Sequence, residues 1–177
     1  MVSVDRYHSV GRRFCLLLDW GDTVMVNYPE YTGPMADWPT VSLCPGFKEA
    51  GEALYLKYRL ALATNGTDSD SPLIRRALER VGISHLFSWI FCQREIGHAK
   101  PSPMFFQVIR STLRIYDCRV LAMAGDDFDK DIHGAVESGI FGVWLNLRTQ
   151  EDRRGPHYLT VHSWGEIHPL LPGLEMF

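Results

Sequence analysis

Four places along the chain carry side chains that could act together on an electrophilic phosphorus: Asp19, Thr64, Lys100, and the adjacent acids Asp126 and Asp127 with Asp131 close behind. A carboxylate such as Asp19 can attack phosphorus and form a covalent acyl phosphate. The Thr64 hydroxyl with the backbone amides of Asn65-Gly66 could hold phosphate oxygens. The Lys100 ammonium would offset charge on the nucleophile and on a transferring phosphoryl group. Carboxylates are hard oxygen donors, suited to Mg²⁺. Each group also has an ordinary structural reading. Asp19 fits a turn aspartate, Thr64 a strand-to-loop turn, Lys100 a solvated side chain, and Asp127 or Asp129 the N-cap of a following helix.

Their positions relative to the elements narrow the choice. Phe14–Leu18 is apolar on both faces, as a central parallel strand would be, and ends at Asp19. Leu60–Ala63 ends at Thr64, and Val120–Ala124 ends at Gly125-Asp126. Trp89–Cys92 and Val143–Leu145 supply two further strands, and Tyr158–Val161 an edge strand. Apolar spacing predicts helices over Gly46–Lys57, from Ser71-Pro72 to Gly82, from Ser102-Pro103 through Leu113, and over Asp129–Ser138. Both Ser-Pro pairs read as an N-cap followed by the first helical residue. Ile167–Leu171 suggests a final helix. The expected fold is α/β: a three-layer, Rossmann-like single domain over 1–177, with a central, mostly parallel sheet flanked by helices. In such sheets ligands bind beyond the carboxyl ends of the strands, where these polar groups fall.

The order Asp, Thr, Lys, Asp-Asp and its local sequences resemble the haloacid dehalogenase-like hydrolase superfamily. The matching segments are LLLDWGDTVM, ALATNG, GHAKPSPMFF and GDDFDKDIHGAVESGI. The resemblance runs from about Phe14 to Asn146 and implies specific roles. Asp19 would be the nucleophile. Thr64 and the Asn65 amide would bind phosphate, and Lys100 would stabilise charge. Mg²⁺ would be held by Asp19, the Gly21 carbonyl and Asp126, with Asp127 or Asp131 in support. Thr23 would orient the first loop.

One position departs from the family's phosphatases, which usually carry an aspartate two residues after the nucleophile as general acid and base. That position here is Gly21, and the acid stands one further on, at Asp22. Glycine cannot transfer a proton, and general acid–base assistance typically contributes about 10²–10⁴ in rate. Asp22 could reach the site through a shifted loop, the substrate could have a good leaving group such as an acyl phosphate, or the fold could be kept with little catalysis. The leading expectation is a Mg²⁺-dependent phosphatase of weak or specialised activity. The alternatives are a non-catalytic regulatory binding module of the same fold and a 2-haloacid dehalogenase-like hydrolase.

The family's covering domains leave little trace. Residues 24–44 read as an irregular loop, a short hairpin or a minimal cap insert. The segment between Thr64 and Lys100 is filled by one helix and one strand. An open site would suit a bulky phosphorylated macromolecule as well as a small phosphorylated molecule, and a homo-oligomer could supply a lid. Tyr28, Tyr31 and Trp38 could form a substrate platform, a dimer contact or packing over their own core.

Composition sets outer bounds. The 177 residues carry a net charge of −3 and are 46% hydrophobic, ample for a core. No basic stripe marks a nucleic-acid partner. The pairs Arg12-Arg13, Arg75-Arg76 and Arg153-Arg154 read as solvated faces. Cys15, Cys44, Cys92 and Cys118 lack metal or disulfide spacing and read as reduced thiols of a cytoplasmic protein. Residues 1–12 lack the apolar core of a leader, and no apolar run is long enough to span a membrane.

Overall fold

Runs that are apolar on both faces become interior strands. The computed structural model describes residues 14–115, 117 and 120–167. Its strands are β1 (Cys15–Leu18), β2 (Arg59–Thr64), β3 (Phe87–Cys92), β4 (Leu121–Gly125), β5 (Phe141–Leu145) and β6 (Tyr158–Val161). They form one sheet in the order β3-β2-β1-β4-β5-β6, and every pairing is parallel. The order reverses between β1 and β4, which opens a crevice beyond their carboxyl ends.

Successive strand side chains alternate between faces. Leu16, Leu18, Leu60, Leu62 and Ala122 therefore join one apolar cluster, and Cys15, Leu17, Ala61, Ala63 and Met123 another. Helices α1 (Phe47–Tyr55) and α2 (Ser71–Arg80) bury Phe47, Leu54, Ile74 and Leu78 in the first. A short α3 (Gln93–Ile96), not expected from the sequence, leads to α4 (Pro103–Leu113). Phe105, Phe106 and Ile109 of α4 fill the second cluster with Ala135 of α5 (Gly134–Glu137). Each fully buried large side chain contributes about 1.5–3 kcal/mol, so the two clusters fix the sheet between its helical layers.

The caps set where the chemistry-bearing loops end. Ser102 caps α4 as expected, its hydroxyl accepting from the Met104 amide at 3.3 Å. At α2 the cap is Asp70 rather than the expected Ser71. Its carboxylate accepts from the Leu73 amide at 3.1 Å, while the Ser71 hydroxyl donates to Glu95 at 2.5 Å. The expected helix over Asp129–Ser138 starts as a wide π-type turn, Phe128–His133, and narrows into α5. Asp127 caps this turn, accepting from the amides of Asp129 and Lys130 at 3.1 and 3.0 Å.

Residues 24–44 form an irregular loop, with a short helical turn at Met35–Asp37 and an isolated bridge between Met25 and Leu43. Helix α2 grips it. The Arg80 guanidinium donates to the carbonyls of Met35, Ala36, Trp38 and Pro39 at 3.4, 3.1, 2.6 and 3.2 Å. Arg76 is ion-paired with Asp37. The Arg75-Arg76 pair is thus tied to neighbours rather than merely solvated, Arg75 donating to Ser84. Trp38 belongs to the core, with Tyr28 and Tyr31 packed against it at ring distances of 6.5 and 5.6 Å.

Arg153 also has partners, lying over the rings of Phe128 and Trp144. Residues 164–167 begin a helical turn. The rest of the expected final helix, Cys118, Arg12-Arg13 and the leader region lie outside the described residues. Among those described, no helix is long and apolar enough to cross a membrane.

Candidate active site

Asp19 follows β1 directly. Its amide donates to the Ala124 carbonyl at 2.9 Å, so the β1–β4 pairing continues up to the crevice and holds the residue in place. Lys100 reaches the same point from the loop before α4. Its ammonium donates to Asp19 Oδ1 at 2.7 Å and to Asp131 Oδ1 at 2.6 Å. Lys100 and Asp131 are buried, and Asp19 nearly so. Burial pulls the Lys100 pKa down, but Asp131 and Asp19 outweigh it and hold the ammonium above its ordinary value.

Two glycines make this approach feasible. A Cβ at Gly125 would lie 2.1 Å from Asp131 Oδ2, and one at Gly134 would lie 2.6 Å from the Pro101 ring. Asp131 therefore folds back over the end of β4, and the helix behind it meets the Lys100-Pro101 loop. The Asn65 carboxamide fixes that loop from the other side. It donates to the Lys100 carbonyl at 2.9 Å and accepts from the Lys100 amide at 2.8 Å. A role for the Asn65 side chain in positioning the lysine had no sequence signal beyond adjacency to Thr64.

The carboxylates of Asp19, Asp126 and Asp131 offer oxygens within 4.8 Å of one another. Thr23 links the first loop to Asp126, its hydroxyl accepting from the Asp126 amide at 3.1 Å and donating to Oδ1 at 3.4 Å. Burial, with Asp19 and Asp22 nearby, pushes Asp126 up to about 6. Burial likewise pushes Asp131 up to about 7, against the pull of Lys100 and with a further push from Asp19. Crowded, desolvated carboxylates of this kind are the electrostatic setting a cation relieves. Asp127 also borders the cleft but is held by its own turn. Besides capping the π turn, it pairs with Lys130 at 2.7 Å, and these bonds outweigh burial and hold its carboxyl below the ordinary range.

Thr64 lies at the tip of β2 and accepts from the Gly66 amide at 3.2 Å. Thr64, Asn65, Asp19, Gly21, Lys100 and Asp126 all border one cleft of about 320 Å³. Gly21 forms a bridge with Met25, and a Cβ placed on it would meet only Asn27 Cβ, at 3.7 Å. Asp22 stands in left-handed backbone, φ 56°, and is committed on both oxygens. Oδ1 accepts from the Asn27 amide at 3.0 Å, and Oδ2 pairs with Arg148 at 2.6 Å.

Arg148 has no counterpart in the sequence reading. It also lies 3.7 Å from Asp126, in the loop after β5. Asn146 shapes that loop by bonding to Thr149 and the Glu151 carbonyl. The same attention to strand tips, carried on to β5, would have pointed to it. The described cysteines are buried, and burial pushes Cys15 and Cys44 up to about 12, which leaves them inert as thiolate nucleophiles.

Comparison with known proteins gives the family. The chain is 30% identical over 129 residues to the pyrimidine 5'-nucleotidase YjjG of Escherichia coli, covering 72% of this chain and 56% of that protein. It is 33% identical over 99 residues to the phosphoserine phosphatase of Thermus thermophilus, covering 55% of this chain and 38% of that one. It thus spans about half the length, or less, of these curated relatives. A solved structure of an uncharacterized protein from Listeria monocytogenes serotype 4b superposes with a TM-score of 0.78 at 26% identity, over 93% of this chain and 99% of the other. Residues 20–145 match the description haloacid dehalogenase-like hydrolase. With most of its length covered by that match, the chain belongs to the haloacid dehalogenase-like hydrolase family.

Proposed function

We propose that the chain is a phosphatase that acts through an aspartyl-phosphate on a phosphorylated small molecule. The supporting observation is the Lys100 ammonium bonded at once to Asp19 and Asp131, in a cleft that Thr64 and Asp126 also border. Lys100 occupies Oδ1 of Asp19, which leaves Oδ2 as the attacking oxygen. Attack on phosphorus forms the Asp19 acyl phosphate and expels the leaving oxygen with its electron pair. Thr64 and the Asn65 amide hold phosphate oxygens, and Lys100 offsets the negative charge that accumulates. Water then cleaves the acyl phosphate and returns the carboxylate.

The donor set suits Mg²⁺, which Asp19, Asp126 and the Gly21 carbonyl would hold and which would supply charge neutralisation on the phosphoryl oxygens. Asp131 accepts from Lys100 on Oδ1 and from the Asp127 amide on Oδ2, a supporting position. Asp127, bound to its own helix and to Lys130, contributes through that amide. The chain forms one core domain, with the 24–44 loop as a minimal cap. Hydrolysis of an activated aryl or acyl phosphate tests the proposal. Turnover should stop with EDTA and with Asp19→Asn, and turnover unchanged by both would refute it.

A second reading, a regulatory binding module with little turnover, draws on Gly21 and on the Asp22–Arg148 pair, which leave no evident proton donor in the first loop. A beryllofluoride adduct on Asp19 without any burst of product would favour it. A dehalogenase would need no metal, so halide release from 2-haloacids in EDTA separates that alternative.

A further inference from the structure

We infer that the substrate is a monophosphate of a flat, uncharged group that leaves as a stable oxyanion, an aryl or enol phosphate rather than an alkyl or dianionic one. The inference rests on the phosphatase reading above and adds the chemistry of the leaving group.

Two separate features of the cleft point to it. The first is the first loop, whose described residues offer no free acid beside Asp19. Residue 21 is glycine, and both carboxylate oxygens of Asp22 are engaged, by the Asn27 amide and by the Arg148 guanidinium. An alkoxide expelled unprotonated is a high-energy species, whereas a phenolate or enolate spreads its charge over the ring or the double bond. In the step itself, the Asp19 oxygen bonds to phosphorus and the phosphorus–oxygen bond to the leaving group breaks. The electron pair goes with the leaving oxygen, which later takes a proton from solvent. The water that cleaves the acyl phosphate gives its hydroxyl to phosphorus and its other proton to solvent.

The second feature is the wall. Trp20, Met35 and Trp38 line the cleft on the side of the 24–44 loop. The loop is anchored, with Arg80 bonded to four of its carbonyls and Trp38 Nε1 donating to the Gly33 carbonyl at 2.9 Å. Tyr28 and Tyr31 back Trp38 with edge contacts and meet each other in a tilted one. A flat apolar group gains from such a surface. A second negative charge would not: among the described residues the lining holds six aspartates and two lysines, Lys100 and Lys130, each already paired with aspartate.

The test is made on the unaltered protein with Mg²⁺, comparing substituted phenyl phosphates, simple alkyl phosphates and phosphoglycolate. The expected result is kcat/KM that falls steeply as the leaving-group pKa rises, with aryl over alkyl by about 10²–10⁴, the range that missing acid assistance spans. Trp38→Phe should keep the aryl preference and Trp38→Ala should reduce it by about 2- to 10-fold, in protein shown to be folded by its melting transition. Asp19-dependent turnover with a flat leaving-group dependence, or with phosphoglycolate preferred, would overturn the inference and leave the phosphatase intact. No Asp19-dependent turnover of any ester would overturn both.

Discussion

The floor of the cleft and its rim are built from the same residue types but held in opposite ways. On the floor, Lys100 and Asp131 are each 2% exposed in their side chains, and the ammonium is held between the Asp19 and Asp131 carboxylates. On the rim, Arg148 is 68% exposed and Asp22 28%, and their pair faces solvent. A buried cation between two carboxylates cannot be removed without stranding charge in low dielectric, whereas an exposed pair exchanges its partners with water at little cost. The floor is therefore where the structure invests in geometry for chemistry, and the rim is where it can vary.

The comparison is broken most directly by removing the floor's cation. Lys100→Met should destabilise the protein by about 3–5 kcal/mol in denaturant unfolding and abolish turnover, since it leaves Asp131 unpaired and buried. A loss below 1 kcal/mol would mean the floor is as adaptable as the rim. Gly21→Asp sharpens the contrast from the other side. The position has room for a Cβ, and its backbone carries no positive φ. Restoring a carboxyl there should raise turnover of alkyl phosphates by up to about 10²-fold.

Arg80→Ala tests whether the loop wall needs its anchor. It should cost about 1.5 kcal/mol, the low end for charged hydrogen bonds, because the freed carbonyls can take water. The change in unfolding free energy, with kcat/KM for an aryl phosphate alongside, checks this.

The acids of the floor predict a pH effect. Asp126 and Asp131 are raised from 3.8 to about 6 and about 7 in the folded protein. Their contribution to stability is therefore full below about pH 4 and is lost as pH rises through those values. Thermal melts of metal-free protein should show this as a downward component between about pH 4 and 7, shallower in Asp126→Asn. Added Mg²⁺ should raise the melting temperature more at about pH 8 than at about pH 5, because it binds the ionised forms. The smallest effect belongs to the rim. Arg148→Ala should change stability by no more than about 1 kcal/mol.

The strand tips were legible because apolar runs and the polar residues that end them are local features. Asp19, Thr64 and Asp126 could be placed at the carboxyl ends of β1, β2 and β4 from the chain alone, and the Ser102 cap needed only its neighbours. What stayed hidden depends on partners distant in sequence or on competition between equal signals. Asp70 and Ser71 are both good caps, and Glu95, from beyond β3, settles the choice by taking the serine hydroxyl. The π turn over Phe128–His133 carries no spacing signal that separates it from an ordinary helix. The Asn65 clamp on Lys100, the Arg80 grip on the loop and the Arg148–Asp22 pair all join segments that no periodicity links.

The central claim is that Asp19 accepts the phosphoryl group. Acid quenching of the protein during turnover of p-nitrophenyl phosphate with Mg²⁺, followed by peptide mass spectrometry, reads it directly. The expected result is one phosphoryl group on the peptide at Asp19, absent in Asp19→Asn and discharged by hydroxylamine. Turnover that persists in Asp19→Asn, with no adduct on the unaltered protein, would contradict it.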